Sequence, residues 1–137
     1  MLRYGNVNEG DKIPPITVVI SREKLNAYCK VTKEIVPIHF DEKVARALGF
    51  KTVVVQGVFS FSFIPKMLTE WIGNPTCIKE IEVSFIAPLY PEENVTFTGK
   101  ILRKYEKDGE RLLECEIWAE KENGEKIIDG TAVISIQ

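Results

Sequence analysis

Gly57-Val58-Phe59-Ser60-Phe61-Ser62-Phe63-Ile64-Pro65-Lys66-Met67-Leu68-Thr69-Glu70-Trp71-Ile72-Gly73 is the stretch on which the fold turns. The spacing of Met67, Leu68, Trp71 and Ile72 is helical, whereas Phe59, Phe61 and Phe63 alternate as they would in a strand. Apolar residues run almost all round the first half, so a helix here would be buried on most sides. We read Gly57 to Ile72 as one long helix ended by Gly73-Asn74-Pro75. Pro65 complicates it. A mid-helix proline removes the bond to the Phe61 carbonyl and kinks the axis. The alternative is a helix that begins nearer Phe63.

After this stretch the pattern changes to strands. Cys77 to Phe85 alternates loosely, and Ala87-Pro88-Leu89-Tyr90-Pro91-Glu92-Glu93 breaks it. Strands then follow over Asn94–Tyr105, Glu110–Lys121 and Lys126–Ile136. Asp108-Gly109 and Asn123-Gly124 join them, and both pairs are strong hairpin signals. Leu113, Cys115, Ile117 and Ala119 alternate with Glu114, Glu116, Trp118 and Glu120, so one sheet face is covered and the other is wet.

Before the long stretch, Asn8 to Lys12 reads as a turn and Pro14-Pro15 as extended chain. Ile16 to Ile20 is a β-branched strand. Ser21 caps a helix over Arg22–Val31, with Leu25, Tyr28, Cys29 and Thr32 on its inward face. Asp41 caps a second short helix, Glu42–Leu48, closed by Gly49. Between these helices lies Glu34-Ile35-Val36-Pro37-Ile38-His39-Phe40, which holds the only histidine of the chain. A carboxylate and an imidazole in one connection could share general acid–base work, if they come within hydrogen-bond reach.

Composition narrows the rest. A chain of 137 residues with 45% hydrophobic and 28% charged residues fits a single domain, 1–137, with a real core. A net charge of −2, with signs interspersed, provides no basic field for nucleic acid. Cys29, Cys77 and Cys115 form no CxxC pair, and one histidine makes a zinc site improbable. Isolated cysteines suit a reducing cytoplasm. The opening residues lack a secretory pattern. Thr52 to Phe63 is too short and too polar to span a bilayer. The expectation is a soluble cytoplasmic protein that binds neither membrane nor nucleic acid. Its strand, helices and four antiparallel strands form an α+β fold, a sheet wrapped around a buried helix.

With that layout the chain resembles the MaoC-like hotdog-fold family of R-specific enoyl-CoA hydratases and 3-hydroxyacyl-thioester dehydratases. The resemblance covers most of the chain. The family motif DxNPxH, followed by an acidic residue, reads here Glu34-Ile35-Val36-Pro37-Ile38-His39 and then Asp41. The His-Gly-Met start of the family's central helix reads Gln56-Gly57-Val58, and its Phe-x-x-Pro bend reads Phe85-Ile86-Ala87-Pro88.

The resemblance implies that two subunits pair into a continuous sheet, as a homodimer or as a heterodimer with another hotdog subunit. It implies an acyl thioester of coenzyme A or acyl carrier protein beside the helix, and neither cofactor nor metal. Water adds across the trans-2 double bond or leaves in reverse. Glu34 and His39 would hold that water. Backbone donors at Gly57 and Val58 would receive the thioester oxygen, and Ser62 is where some members place a site hydroxyl, although such a hydroxyl can equally bond back to its own helix. The chain departs from the motif twice, with Glu34 for aspartate and Val36 for asparagine. The extra methylene moves the carboxylate by about 1.5 Å, and a misplacement near 1 Å can cost roughly 100-fold in rate. Three readings follow: a hydratase or dehydratase, a non-catalytic acyl-binding subunit with a catalytic partner, or an acyl-CoA thioesterase. Phe59, Phe61, Phe63 and Met67 are read as core and not as a substrate tunnel.

Overall fold

A computed structural model describes every residue from Met1 to Gln137. Five strands form one antiparallel sheet: β1 (Lys12–Val19), β2 (Ile78–Phe85), β3 (Asn94–Lys107), β4 (Glu110–Lys121) and β5 (Lys126–Ser135). Their spatial order is β1-β3-β4-β5-β2. The β3–β4 hairpin turns through Asp108 and Gly109, both at positive φ, and Lys107 pairs with Glu110 across it. Two positive-φ residues match the twist of the flanking strands. At Asn123-Gly124 only the glycine takes positive φ, and the register shifts between Ala119 and Glu120.

The first strand is longer than its β-branched run. It begins at Lys12 and includes Pro14 and Pro15, with a register shift between Ile13 and Ile16. Proline donates no ladder bond, so a bulged edge strand is where it fits.

One sheet face is covered. Leu113, Cys115, Ile117 and Ala119 are all fully buried, as their alternation predicts. On the wet face Trp118 is half-buried beneath Lys126, whose Nζ lies 5.0 Å from the ring centroid. The cover is a helix in two pieces, α3 (Gly57–Phe61) and α4 (Phe63–Ile72), parted at Ser62. Pro65 has no N–H for the Phe61 carbonyl, so the single helix expected over Gly57–Ile72 divides there. α4 buries Ile64, Met67, Leu68 and Ile72 against the sheet. Phe59, Phe61 and Phe63 pack at the margin of that core, and Phe59 stacks on Tyr28 at 4.2 Å. Burial of the first half on most sides does not hold, because Val58 points away from the sheet and is exposed.

Ser21 accepts the Lys24 N–H and starts α1 (Arg22–Thr32) as expected. Leu25 and Cys29 face inward with Tyr28 partly covered, but Thr32 is exposed and donates to the Tyr28 carbonyl. Asp41 caps α2 (Glu42–Ala47) by accepting from the N–H groups of Lys43 and Val44.

Candidate active site

The turn that carries His39 is built from its neighbours. Val36 is extended, as a residue before proline must be, and Pro37 opens a single 3₁₀ turn, Pro37–His39. The Asp41 N–H closes on the Pro37 carbonyl at 2.7 Å. The irregular segment before α3 then fastens the turn from the other side. Val54 N–H donates to the Ile38 carbonyl at 2.9 Å, and His39 Nδ1 lies 2.7 Å from the Val54 carbonyl. A carbonyl only accepts, so Nδ1 carries the proton of the neutral ring. Nε2 is left as the unprotonated nitrogen, a base.

His39 lines a cleft of about 420 Å³ with Val55, Gly57, Ser60, Phe85 and Leu89 among its walls. The lining is mostly apolar, with few polar groups, the usual character of a small-molecule site. Gly57 opens α3 at one wall. The N–H groups of Gly57 and Val58 precede the first helical bonds, which run from Phe59 and Ser60 to the Gln56 carbonyl, and neither is otherwise engaged. Unpaired donors at the start of a helix favour an oxygen that gathers negative charge. Gly57 leaves room there: an added Cβ would lie 3.0 Å from the Phe85 ring.

The expected site residues do not all converge. His39 and Gly57 share the cleft. Glu34 does not line it, and its Oε1 accepts the Val36 N–H at 3.1 Å. The side chain of Val58 is exposed outside the cleft. Ser62 is also outside, its hydroxyl donating to the Phe59 carbonyl at 2.6 Å. Ser60 is the hydroxyl that lines the cleft, three residues after Gly57 and on the same helix face, where it donates to the Gly57 carbonyl at 2.9 Å. That spacing was a usable signal in the sequence.

Behind the turn, Gln56 is buried and donates Nε2–H to Cys29 Sγ at 3.1 Å, while its Oε1 has no partner. Cys29 in turn points its thiol at the His39 carbonyl, 3.6 Å away. No cysteine lines the cleft. Burial pushes the Cys77 thiol up, and the Cys115 thiol up to about 12.

An antiparallel sheet laid over a helix, with a histidine turn fastened beside the helix start, defines a hotdog protein of the MaoC type. The chain belongs to that family: the family model for the MaoC like domain matches residues 7–123. Among curated relatives, it is 25% identical to the mitochondrial 3-hydroxyacyl-[acyl-carrier-protein] dehydratase of Arabidopsis thaliana. That alignment of 117 residues covers 85% of this chain and 70% of the relative. Among solved structures, the unliganded R-hydratase PhaJ1 of Pseudomonas aeruginosa superposes with a TM-score of 0.83 at 20% identity, over 98% of this chain and 84% of that one. A chain of the ChsH1-ChsH2 complex of Mycobacterium tuberculosis gives 0.79 at 22%, over 95% and 98%. No helix is long and apolar enough to cross a membrane.

Proposed function

We propose that this protein binds an acyl thioester of coenzyme A or acyl carrier protein and catalyses reversible hydration of its trans-2 double bond. One observation carries the reading: His39 is held by Val54 so that Nε2 is free, in the same cleft as Gly57, whose N–H and that of Val58 beside it are open. His39 Nε2 takes a proton from water as its oxygen bonds to C3. The electron pair of the double bond moves toward the thioester oxygen, which the two N–H groups receive, and a proton returns to C2. Glu34 stands outside the cleft and becomes the second group of the water clamp only by turning toward His39. Its Oε1 is occupied by the Val36 N–H, so Oε2 is the oxygen that would accept from water. Three free thiols accord with a reducing cytoplasm as the place of work.

A second reading is favoured by Glu34 and Val36. The carboxylate serves its own loop and not the cleft, and valine cannot orient water. A chain so built could bind acyl groups while another hotdog subunit supplies the chemistry. A chain of the ChsH1-ChsH2 complex has the same fold.

The test follows loss of the enoyl absorbance of a trans-2-enoyl-CoA with the purified protein. Under the first reading the wild type hydrates it alone. His39→Asn, which keeps a donor toward Val54 but has no base, loses roughly 100- to 10,000-fold, and Glu34→Gln also falls. Absence of hydration until a second hotdog subunit is added rejects the first reading for the second. Thiol release without hydration rejects both for a thioesterase.

A further inference from the structure

Cys29 joins three parts of the site that lie apart in sequence. Its backbone carbonyl, in the last turns of α1, accepts the Glu34 N–H at 2.9 Å. Its thiol lies 3.6 Å from the His39 carbonyl. Its sulfur accepts from Gln56 Nε2, 3.1 Å away. Gln56 in turn opens α3, because its own carbonyl accepts the N–H groups of Phe59 and Ser60. Neither Cys29 nor Gln56 lines the cleft, so neither meets what binds there.

The side chain of Gln56 is costly where it stands. It is 3% exposed, and its Oε1 has no partner. A buried acceptor left unpaired has lost its hydration without replacement. Turning the amide over would let Oε1 accept the Cys29 S–H, but it would strand two N–H donors in place of one acceptor and draw the thiol away from His39. Methionine, unbranched and of like length, would fill the space with no amide to satisfy. What the amide adds is direction. With an N–H on the sulfur, the S–H is left to point at the His39 carbonyl. Each sulfur bond is weak alone, and linked bonds in a buried setting strengthen one another. Val54 already holds the His39 ring and the Ile38 carbonyl. The thiol reaches a third group of the same turn.

We propose that Gln56 and Cys29 are positioning residues for His39: the amide aligns the thiol, the thiol pins the His39 carbonyl, and the ring is thereby kept on Val54 with Nε2 free. The kinetic consequence rests on the hydration reading, whereas the state of the ring does not.

The experiment compares wild type with Cys29→Ser, Cys29→Ala and Gln56→Met, with folding followed by circular dichroism and urea unfolding. The chain has one histidine, so its ring nitrogens give an uncrowded 15N spectrum, read at a pH where the ring is neutral. Wild type shows the Nδ1–H tautomer alone. So does Cys29→Ser, whose hydroxyl still takes the amide N–H and gives to the carbonyl. In Cys29→Ala and Gln56→Met the shifts move toward a mixture of the two tautomers. With a trans-2-enoyl-CoA these two variants lose roughly tenfold in kcat at unchanged KM, less than the roughly 100-fold for a misplacement of about 1 Å, because the Val54 bonds remain. Cys29→Ser keeps most of the wild-type kcat. Gln56→Met unfolds at no lower urea concentration than wild type, since the unpaired acceptor leaves with the amide. If the pair only fills space, the order at Cys29 reverses, because an apolar group replaces a packed sulfur better than a hydroxyl does. A wild-type ring spectrum in both Cys29→Ala and Gln56→Met overturns the inference, as does a Cys29→Ser variant no closer to wild type than Cys29→Ala. A wild type that does not hydrate rejects the hydration reading instead, and the ring spectrum then decides the inference alone.

Discussion

Replacing Gly57 by alanine should leave the fold standing and impair the cleft. The new Cβ would lie 3.0, 3.1 and 3.3 Å from three carbons of the Phe85 ring. These are the outer atoms of a half-exposed side chain, so the ring can swing by the few tenths of an ångström needed. An off-rotamer adjustment of that kind costs about 1 kcal/mol, and alanine returns roughly 0.5–1 kcal/mol over glycine in a helix. Net stability should therefore change by less than about 1 kcal/mol. Function is placed differently. The methyl group and the displaced ring intrude where a thioester oxygen would meet the Gly57 and Val58 N–H groups. A shift of about 1 Å in the bound acyl group lowers kcat/KM by roughly 100-fold, about 2.7 kcal/mol. Enoyl-CoA hydration and urea unfolding would be measured on Gly57→Ala, Phe85→Ala and the double variant. The double variant should recover at least about tenfold of the lost activity, since the ring no longer has to be pushed aside. Full activity in Gly57→Ala, or a double variant with simply additive losses, would refute the reasoning.

Gly130→Ala should do the opposite. Its Cβ would meet the Glu82 carbonyl oxygen and the Val83 Cα, both backbone atoms of β2 that no rotamer change can move. A loss of at least about 3 kcal/mol is expected in chemical denaturation, the upper range for overpacking. A third prediction concerns alkaline pH. Burial first, and then the charge of Glu114, push the Cys115 thiol up to about 12 from 9.0 for a free thiol. The folded chain holds this proton more tightly than the unfolded chain. The stabilisation is complete below about pH 9 and is lost as pH rises toward 12, over a span of about 4 kcal/mol. Cys115→Ala should flatten the fall in stability between pH 9 and 11 by about 1.4 kcal/mol per unit, and an unchanged slope would reject the assignment.

Local chemistry made much of the fold legible. Asp-Gly and Asn-Gly place their turns whatever surrounds them, and Ser21 and Asp41 cap the helices they precede. The five strands follow alternation that the covered face enforces. Some of what failed depended on distant atoms. Lys12 to Pro15 read as turn and extended chain, but β3 recruits them into a bulged edge strand. Ser60, not Ser62, lines the cleft because three residues, unlike five, return to the helix face of Gly57, a local signal that was there to be read. The site was half legible. His39 and Gly57 meet because Val54 fastens the turn beside the helix start, and the family pattern pointed to both. The direction of Glu34 was not readable, since it is set by one bond to a backbone N–H two residues on.

The strand order also has a consequence in time. Across the β3–β4 hairpin, Lys107 meets Glu110, whereas the nearest partners of β1 and β3, Val19 and Asn94, are 75 positions apart. Closing the longer loop costs about 3 kcal/mol more in chain entropy by the logarithmic scaling of loop length. The three-strand meander β3-β4-β5 can form from neighbouring sequence before either edge has found its place. β1 should then join late and open early, and its amides should exchange with solvent ahead of those in β4. The strand rich in proline is thus also the one whose departure disturbs least, since the meander beneath it holds its own register.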